Sequence, residues 1–262
     1  MTIKLNTKVD DEVLKSGLFD HVVIATGVVP RDLAGKLDGA DAPNVMSYAE
    51  LLSGAKEAGD TVAVIGAGGI GFDVSEYLTA RHSEPLHEIG DKVNDPSYRP
   101  EPQPIDEWMA EWGVNENPDY QTDGGLERPE SITPKRQVYL MQRSKGRLGK
   151  GLNKTSGWVH RAHIKSHGVY QMPGVSYEQI TPEGIWVTTP NGHSQLLRVD
   201  SVVVCAGQVS VNDLMPKSSD KDDSKPVQKN GMTYHLIGGA KLAGELDAKR
   251  AIREGAEVGA RI

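Results

Sequence analysis

The sequence predicts an α/β fold built around a buried parallel sheet, and three observations predict it. Apolar runs recur as His21-Val22-Val23-Ile24-Ala25, Thr61-Val62-Ala63-Val64-Ile65 and Ser201-Val202-Val203-Val204-Cys205-Ala206-Gly207, as strands covered on both faces would. The second run ends in a glycine cluster, Gly66-Ala67-Gly68-Gly69-Ile70-Gly71, which opens a helical pattern carrying Phe72, Val74 and Leu78. A further strand pattern, Gln137 to Gln142, is followed by an amphipathic helical stretch from about Ser156 to Ser166.

Composition narrows the function classes. With 262 residues there is room for one large or two modest domains, and with 37% hydrophobic but only 5% aromatic residues the core must rest on Val, Ile, Leu and Ala. The formal charge is 29 − 36 = −7, with both signs interleaved, so no basic face for nucleic acid or a membrane surface is expected. The lone Cys205 excludes an intrachain disulfide and a cysteine cluster. Nothing approaches 18 consecutive apolar residues, and a reducing, cytoplasmic setting is the expectation.

Three regions separate along the chain, with expected boundaries at 1–58, 59–212 and 213–262. In the first, Ile3 and Leu5 suggest a short strand, His21 to Ala25 a buried strand ending at Thr26-Gly27, and Tyr48 to Leu52 a short helix behind Ser47 as N-cap. The second holds the glycine cluster. It also holds a long insertion, 82–136, in which eight of the 15 prolines fall, so only Ile105 to Trp112 reads as helix there. Strand-like segments follow near Val169-Tyr170, Val175–Ile180, Ile185–Thr189 and Leu196–Val199, with Pro190-Asn191-Gly192 as a turn between the last two. The third has a charged loop, Lys217 to Lys229, then the short strand His235-Leu236-Ile237 ending in Gly238-Gly239-Ala240. A helix from Glu245 onward should bury Leu246, Ile252 and Val258.

The chemistry rests on Gly66-x-Gly68-x-x-Gly71 between a buried strand and an apolar helix. In a Rossmann-like unit the first glycine permits the tight turn, the second lets the backbone approach a pyrophosphate, and the third brings helix and strand close. Ala67, Gly69 and Ile70 complete that turn, and the helix N-terminus offers free N–H groups and partial positive charge to phosphate. The alternative is a glycine-rich turn without a ligand. Cofactor choice is decided at the end of the next strand, where an acid suits a ribose 2′-hydroxyl and Arg or Lys a 2′-phosphate. Counting about 20 residues reaches Asp91, but Glu84 to Asp91 has no strand pattern. The next real strand ends at Gln142, followed by Arg143, Ser144, Lys145 and Arg147, so the insertion displaces that strand in sequence and not in space. Arg143 and Lys145 then predict NADPH, against the plainer reading of a solvated basic turn. Gly146 to Gly151 with Lys154-Thr155 lacks the Gly-Lys-Ser/Thr of a P-loop and is read as lining the adenosine-phosphate end. The small residues Thr26-Gly27 and Ala206-Gly207, each after a buried strand, allow sharp turns beside a nucleotide.

These residues resemble the flavoprotein disulfide-reductase superfamily. The similarity sharpens at Val62–Phe72 with Asp73, Gly151–Arg161, Pro173-Gly174-Val175-Ser176-Tyr177 and His235–Ala240 through Glu245–Ile252. Together these look like the C-terminal portion of NADPH-dependent 2,4-dienoyl-CoA reductases, over nearly the whole chain including Glu111-Trp112-Gly113. The resemblance implies a Rossmann-like NAD(P)-binding domain inserted into a truncated FAD-binding α/β domain, with hydride passing from NADPH to FAD in 2,4-dienoyl-CoA reduction. It implies Asp73 as an acid near the flavin–nicotinamide contact, and Gly238, Gly239 and Ala240 as the flavin-side strand end. It also implies a partner absent from this sequence: an N-terminal barrel with FMN and an iron–sulfur cluster. The cluster cysteines and the first FAD glycine motif are absent as well, so the alternative is a non-catalytic nucleotide-binding fragment or subunit that needs a partner to complete its flavin site. His160 and Arg161 either face NADPH or solvent; Trp158 is expected to pack, and Cys205 to be inert.

Overall fold

The computed structural model describes residues 1–80, 102–115, 125–130, 132–217, 226–244 and 247–262. The chain forms two compact units, Asp32–Ala206 and a unit of both ends, Met1–Arg31 with Gly207–Ile262.

The first unit starts without the expected strand. Ile3 and Leu5 are 69% and 81% exposed in irregular chain, because no neighbouring strand is there to accept their backbone hydrogen bonds. Helix α1 (Asp11–Ser16) forms instead, seeded by Asp10, whose carboxylate accepts the N–H groups of Glu12 and Val13. Strand β1 (His21–Ile24) is covered on one side only: Ile24 is buried but Val23 is exposed, which corrects the expectation of a fully buried run. Strand β2 (Val28–Pro30) precedes the crossing into the second unit.

There, β3 (Val45–Ser47) leads into α2 (Tyr48–Leu52) through a capping box in which Ser47 and Glu50 satisfy each other's backbone N–H. Then come β4 (Thr61–Ile65), α3 (Gly69–Thr79) and α4 (Ile105–Trp112), which ends on Gly113 at φ 65°. Strand β5 (Gln137–Gln142), α5 (Gly157–Ser166) and β6 (Tyr170–Pro173) follow. Strands β7 (Ser176–Thr181), β8 (Gly184–Thr188) and β9 (Ser194–Arg198) make an antiparallel meander, and β10 (Ser201–Val204) closes the unit. The main sheet runs β3-β10-β4-β5-β6, all parallel. Its strands read as unbroken apolar runs because both faces are covered. Val62 and Val64 pack with Phe72, Leu78 and Ile164 on the helical side, while Ala63 and Ile65 pack with Ile180, Ile185 and Val187 of the meander. Pairing of β3 with β10 draws residues 32–58 into this unit, so the division falls at Arg31/Asp32 and Ala206/Gly207 where the sequence suggested 58/59 and 212/213. A three-residue strand is too short to show a pattern of its own.

The chain returns to the first unit in β11 (Gln208–Ser210), antiparallel to β2. The hairpin β12 (Val227–Lys229) and β13 (Met232–Leu236) turns through Asn230-Gly231, both at positive φ, and β13 pairs parallel with β1. Helix α6 (Gly238–Lys241) and α7 (Ala248–Gly259) end the chain. The expected buried face of α7 is not found: the helix buries no residue and Ile252 is 70% exposed. Leu246, Asp91 and residues 218–225 of the charged loop lie outside the described residues.

Candidate functional site

Three strand ends meet where the chain leaves β4. The Gly66 N–H donates to the Met141 carbonyl at 2.9 Å, and the Cys205 N–H to the Ile65 carbonyl at 2.8 Å. The glycines that follow differ in what surrounds them. Gly66 sits at φ +107°, and a Cβ there would lie 2.8 Å from the Cys205 carbonyl oxygen. At Gly71 a Cβ would lie 1.9 Å from the Gly66 carbonyl oxygen, so α3 can approach the strand this closely only without a side chain. At Gly68 and Gly69 a Cβ would meet nothing within 4 Å. Gly68 is the N-cap of α3 and carries no side-chain cap, so the first-turn N–H groups are left to an outside acceptor. Ala67 and Ile70 pack at the edge of the helical core beside this opening. Two glycines are spent on close packing and two on open space. That is the shape of an anion cradle, and it fits a pyrophosphate.

Arg143 and Lys145 lie at the same edge, because β5 is the neighbour of β4 with Met141 opposite Ile65. The turn that carries them is braced by Gln142, whose Nε2 donates to the Ser144 and Gly146 carbonyls, and by the Gly174 N–H, which donates to Ser144. Arg143, Lys145 and Arg147 are exposed and make no ion pair with any described residue. Such cations, held on a braced turn and without a counter-charge among the described residues, could hold a phosphate beyond the cradle. Gly149, at φ +69°, rests against the Phe72 ring and seats the turn on α3.

Asp73 is exposed early in α3. Partial burial raises its carboxyl above the ordinary range, His160 pulls against this, and Glu76 adds to it. Burial and then the Asp73 charge push the Cys205 thiol up to about 12, so Cys205 is inert as expected. Ala206 ends the second unit against Gly66.

In the first unit, the Thr26 hydroxyl donates to the Val211 carbonyl, Gly27 turns at φ +75°, and Gly207 rests against the Arg31 guanidinium. The Ser210 hydroxyl donates to the Gly239 carbonyl at 2.7 Å, and Ala240 is fully buried. The Gly238 N–H is already taken by the Glu254 carboxylate at 2.6 Å. The described part of this unit holds no glycine cradle for a pyrophosphate, so Thr26, Gly27 and Gly238 to Ala240 alone do not fit a complete FAD.

Several side chains turned out differently from their sequence reading. His160 pairs with α3: its Nδ1 lies 2.8 Å from Glu76 Oε1, and its side chain stays 32% exposed. Arg161 donates to the Gly149 carbonyl and braces the turn. Trp158 does not pack; it is 60% exposed. Glu111, His163 and His167 cluster beside Glu76, and the sequence signals this only through the one-face helical spacing of His160, His163 and His167.

The family model for pyridine nucleotide-disulphide oxidoreductases matches residues 2–232. Proteins of that family are oxidoreductases that bind FAD and NAD(P)H. A metal reductase of Desulforamulus reducens is 22% identical over 216 residues, 81% of this chain and 28% of that protein. A 2-naphthoyl-CoA reductase in complex with 2-naphthoyl-CoA superposes with a TM-score of 0.65 at 22% identity, over 99% of this chain and 29% of its own. The 6-hydroxypseudooxynicotine amine oxidase of Pseudomonas geniculata gives 0.59 at 18%, over 92% and 29%. The thioredoxin reductase of T. acidophilum gives 0.54 at 13%, over 92% and 64%. These likenesses bear out the α/β class with a Rossmann-like parallel sheet. The chain spans less than a third of the length of the metal reductase, the naphthoyl-CoA reductase and the amine oxidase. No helix among the described residues is long and apolar enough to cross a membrane.

Proposed function

The chain belongs to the pyridine nucleotide-disulphide oxidoreductase family, and from that membership we propose that it is the NADPH-binding part of a flavin-dependent reductase of 2,4-dienoyl-CoA thioesters. The observation that carries the reading is the open space over Gly68 beside a braced turn of cations that make no ion pair with any described residue. The pyrophosphate lies against Gly66 to Gly71 and the free N–H groups of α3. Arg143 and Lys145 take the 2′-phosphate. Each charge-assisted hydrogen bond contributes about 1.5–3 kcal/mol, so two of them give a preference on the order of 10²–10⁴ over NADH.

NADPH, when bound, supplies the hydride that a flavin accepts. Asp73 is assigned to the polar group nearest the nicotinamide. Thr26, Gly27, Ala206, Gly207 and Gly238 to Ala240 are assigned to strand ends on the flavin side. A barrel with FMN and an iron–sulfur cluster, outside this sequence, completes the path to the thioester, in a cytoplasmic protein with no nucleic-acid or membrane partner. The naphthoyl-CoA reductase among the fold neighbours is named for a CoA thioester, in keeping with that substrate class.

One observation favours a second reading, a nucleotide-binding fragment or subunit whose flavin site a partner completes. The first unit leaves Leu18, Val29, Val209 and Ile252 exposed at 96%, 48%, 47% and 70%, apolar side chains that a partner could cover. Colour separates the two. A yellow purified chain bleached by NADPH rejects the second reading, and a colourless chain that still binds NADPH supports it. Arg143→Glu tests the site itself: fluorescence titration should show the NADPH preference lost, and an unchanged preference refutes the assignment.

A further inference from the structure

Helix α5 and its C-cap carry three histidines, His160, His163 and His167, spaced i, i+3 and i+7. His160 is satisfied by Glu76 at 2.8 Å. The other two converge on Glu111 of α4, with His163 Nε2 and His167 Nε2 each 3.4 Å from Glu111 Oε1. The side chains of His167 and Glu111 are only 5% and 11% exposed.

As a set of hydrogen bonds this arrangement is incomplete. His167 Nδ1 lies 3.0 Å from the His163 carbonyl, which can only accept, so a neutral ring places its single proton there. Its Nε2 is then a bare lone pair facing a carboxylate. Both 3.4 Å contacts are also too long for charge-assisted hydrogen bonds, which run about 2.7–2.9 Å. When both rings carry their proton on Nδ1, two Nε2 lone pairs and a carboxylate share one spot, and a cation would satisfy all three.

The spacing suits a particular cation. Ligand atoms held about 2.0–2.1 Å from a tetrahedral Zn²⁺ lie roughly 3.3–3.4 Å from one another. One ligand atom from each of the three residues lies within 4.8 Å of the others. The outer partners are also in place. The remaining nitrogen of His163, Nδ1, faces Glu76 Oε2 at 3.5 Å, and the remaining nitrogen of His167 is held by a backbone carbonyl. Ligating histidines are oriented in this way by a carboxylate or carbonyl behind them. Trp112, its ring 6.4 Å from that of His163, forms an apolar wall.

We propose that His163, His167 and Glu111 form a binding site for a divalent transition metal of the zinc class, with Glu76 as positioning residue and one open position for water. The site ties α4 to α5. Helix α4 buries none of its residues, so a shared metal supplies an anchor that its own packing does not.

The test uses the whole chain, stripped with chelator and titrated with Co²⁺ and then Zn²⁺. One equivalent of Co²⁺ should develop the visible bands of tetrahedral coordination, be displaced by Zn²⁺, and slow hydrogen exchange in α4. Glu111→Gln keeps the side-chain shape and should remove the Co²⁺ spectrum. Glu76→Gln should weaken binding about 10–100-fold, as loss of an outer partner does. NADPH affinity should be unchanged in Glu111→Gln, so this inference and the nucleotide reading fail separately. Absence of a stoichiometric Co²⁺ spectrum, or full binding by Glu111→Gln with wild-type circular dichroism, overturns the proposal.

Discussion

Gly71 and Gly68 sit three residues apart, and substituting alanine at each should break different things. A Cβ on Gly71 lies 1.9 Å from the Gly66 carbonyl oxygen, about 1.5 Å short of ordinary contact at 3.4 Å. The clashing atom is backbone, and the Gly66 N–H is tied to Met141, so the turn cannot swing away cheaply. Overpacking of this kind costs about 1–3 kcal/mol, and the upper end applies here. Alanine regains about 1 kcal/mol of helix propensity. The net loss, about 2 kcal/mol, corresponds to a Tm drop of roughly 4–8 °C for a unit of this size. At Gly68 the backbone is at φ −83°, which any residue adopts, and the added methyl meets nothing within 4 Å. Alanine there costs under about 1 kcal/mol as a poorer N-cap. The methyl nevertheless fills the space assigned to the pyrophosphate, and NADPH affinity should fall at least about tenfold, or 1.4 kcal/mol. Thermal unfolding by circular dichroism and NADPH titration by fluorescence, run on both variants, separate the effects. Unaltered NADPH affinity in Gly68→Ala, or an unaltered Tm in Gly71→Ala, would show that the two glycines do not divide the work in this way.

Two further outcomes follow from the electrostatics. Cys205, its thiol pushed up to about 12, should react with iodoacetamide at pH 8 roughly three orders of magnitude more slowly than a free cysteine; prompt stoichiometric labelling of the native chain contradicts that. The Ser47 backbone N–H, then the Ser47 hydroxyl and Lys56, hold the Glu50 carboxyl below its ordinary range. The folded value is the lower one. Its contribution is therefore present above the unfolded value near 4.3 and fades as pH falls through the folded value. Because the side chain is 41% exposed, the effect is under about 1 kcal/mol, and the stability difference between the wild type and Glu50→Gln in urea unfolding should shrink between pH 7 and pH 3.5.

What could be read without coordinates was local. The run from Thr61 to Ile65, the glycines after it, the capping box at Ser47 and the helix from Ile105 to Trp112 each declare themselves within a few residues, because sterics, periodicity and capping act over that range. Even the displaced neighbour strand was legible, since the Pro-rich stretch before it could not form one. Tertiary structure decided whatever depends on a remote partner. Strand β1 is half-exposed although its run is apolar throughout, three residues at Val45 become a strand because β10 is there to pair with them, and α7 has no buried residue although its pattern suggested a buried face. His163 and His167 show their spacing in the sequence. Glu111 and Glu76 reach them only because α3, α4 and α5 pack together, and no pattern along the chain encodes the distance between two helices that meet through a folded core.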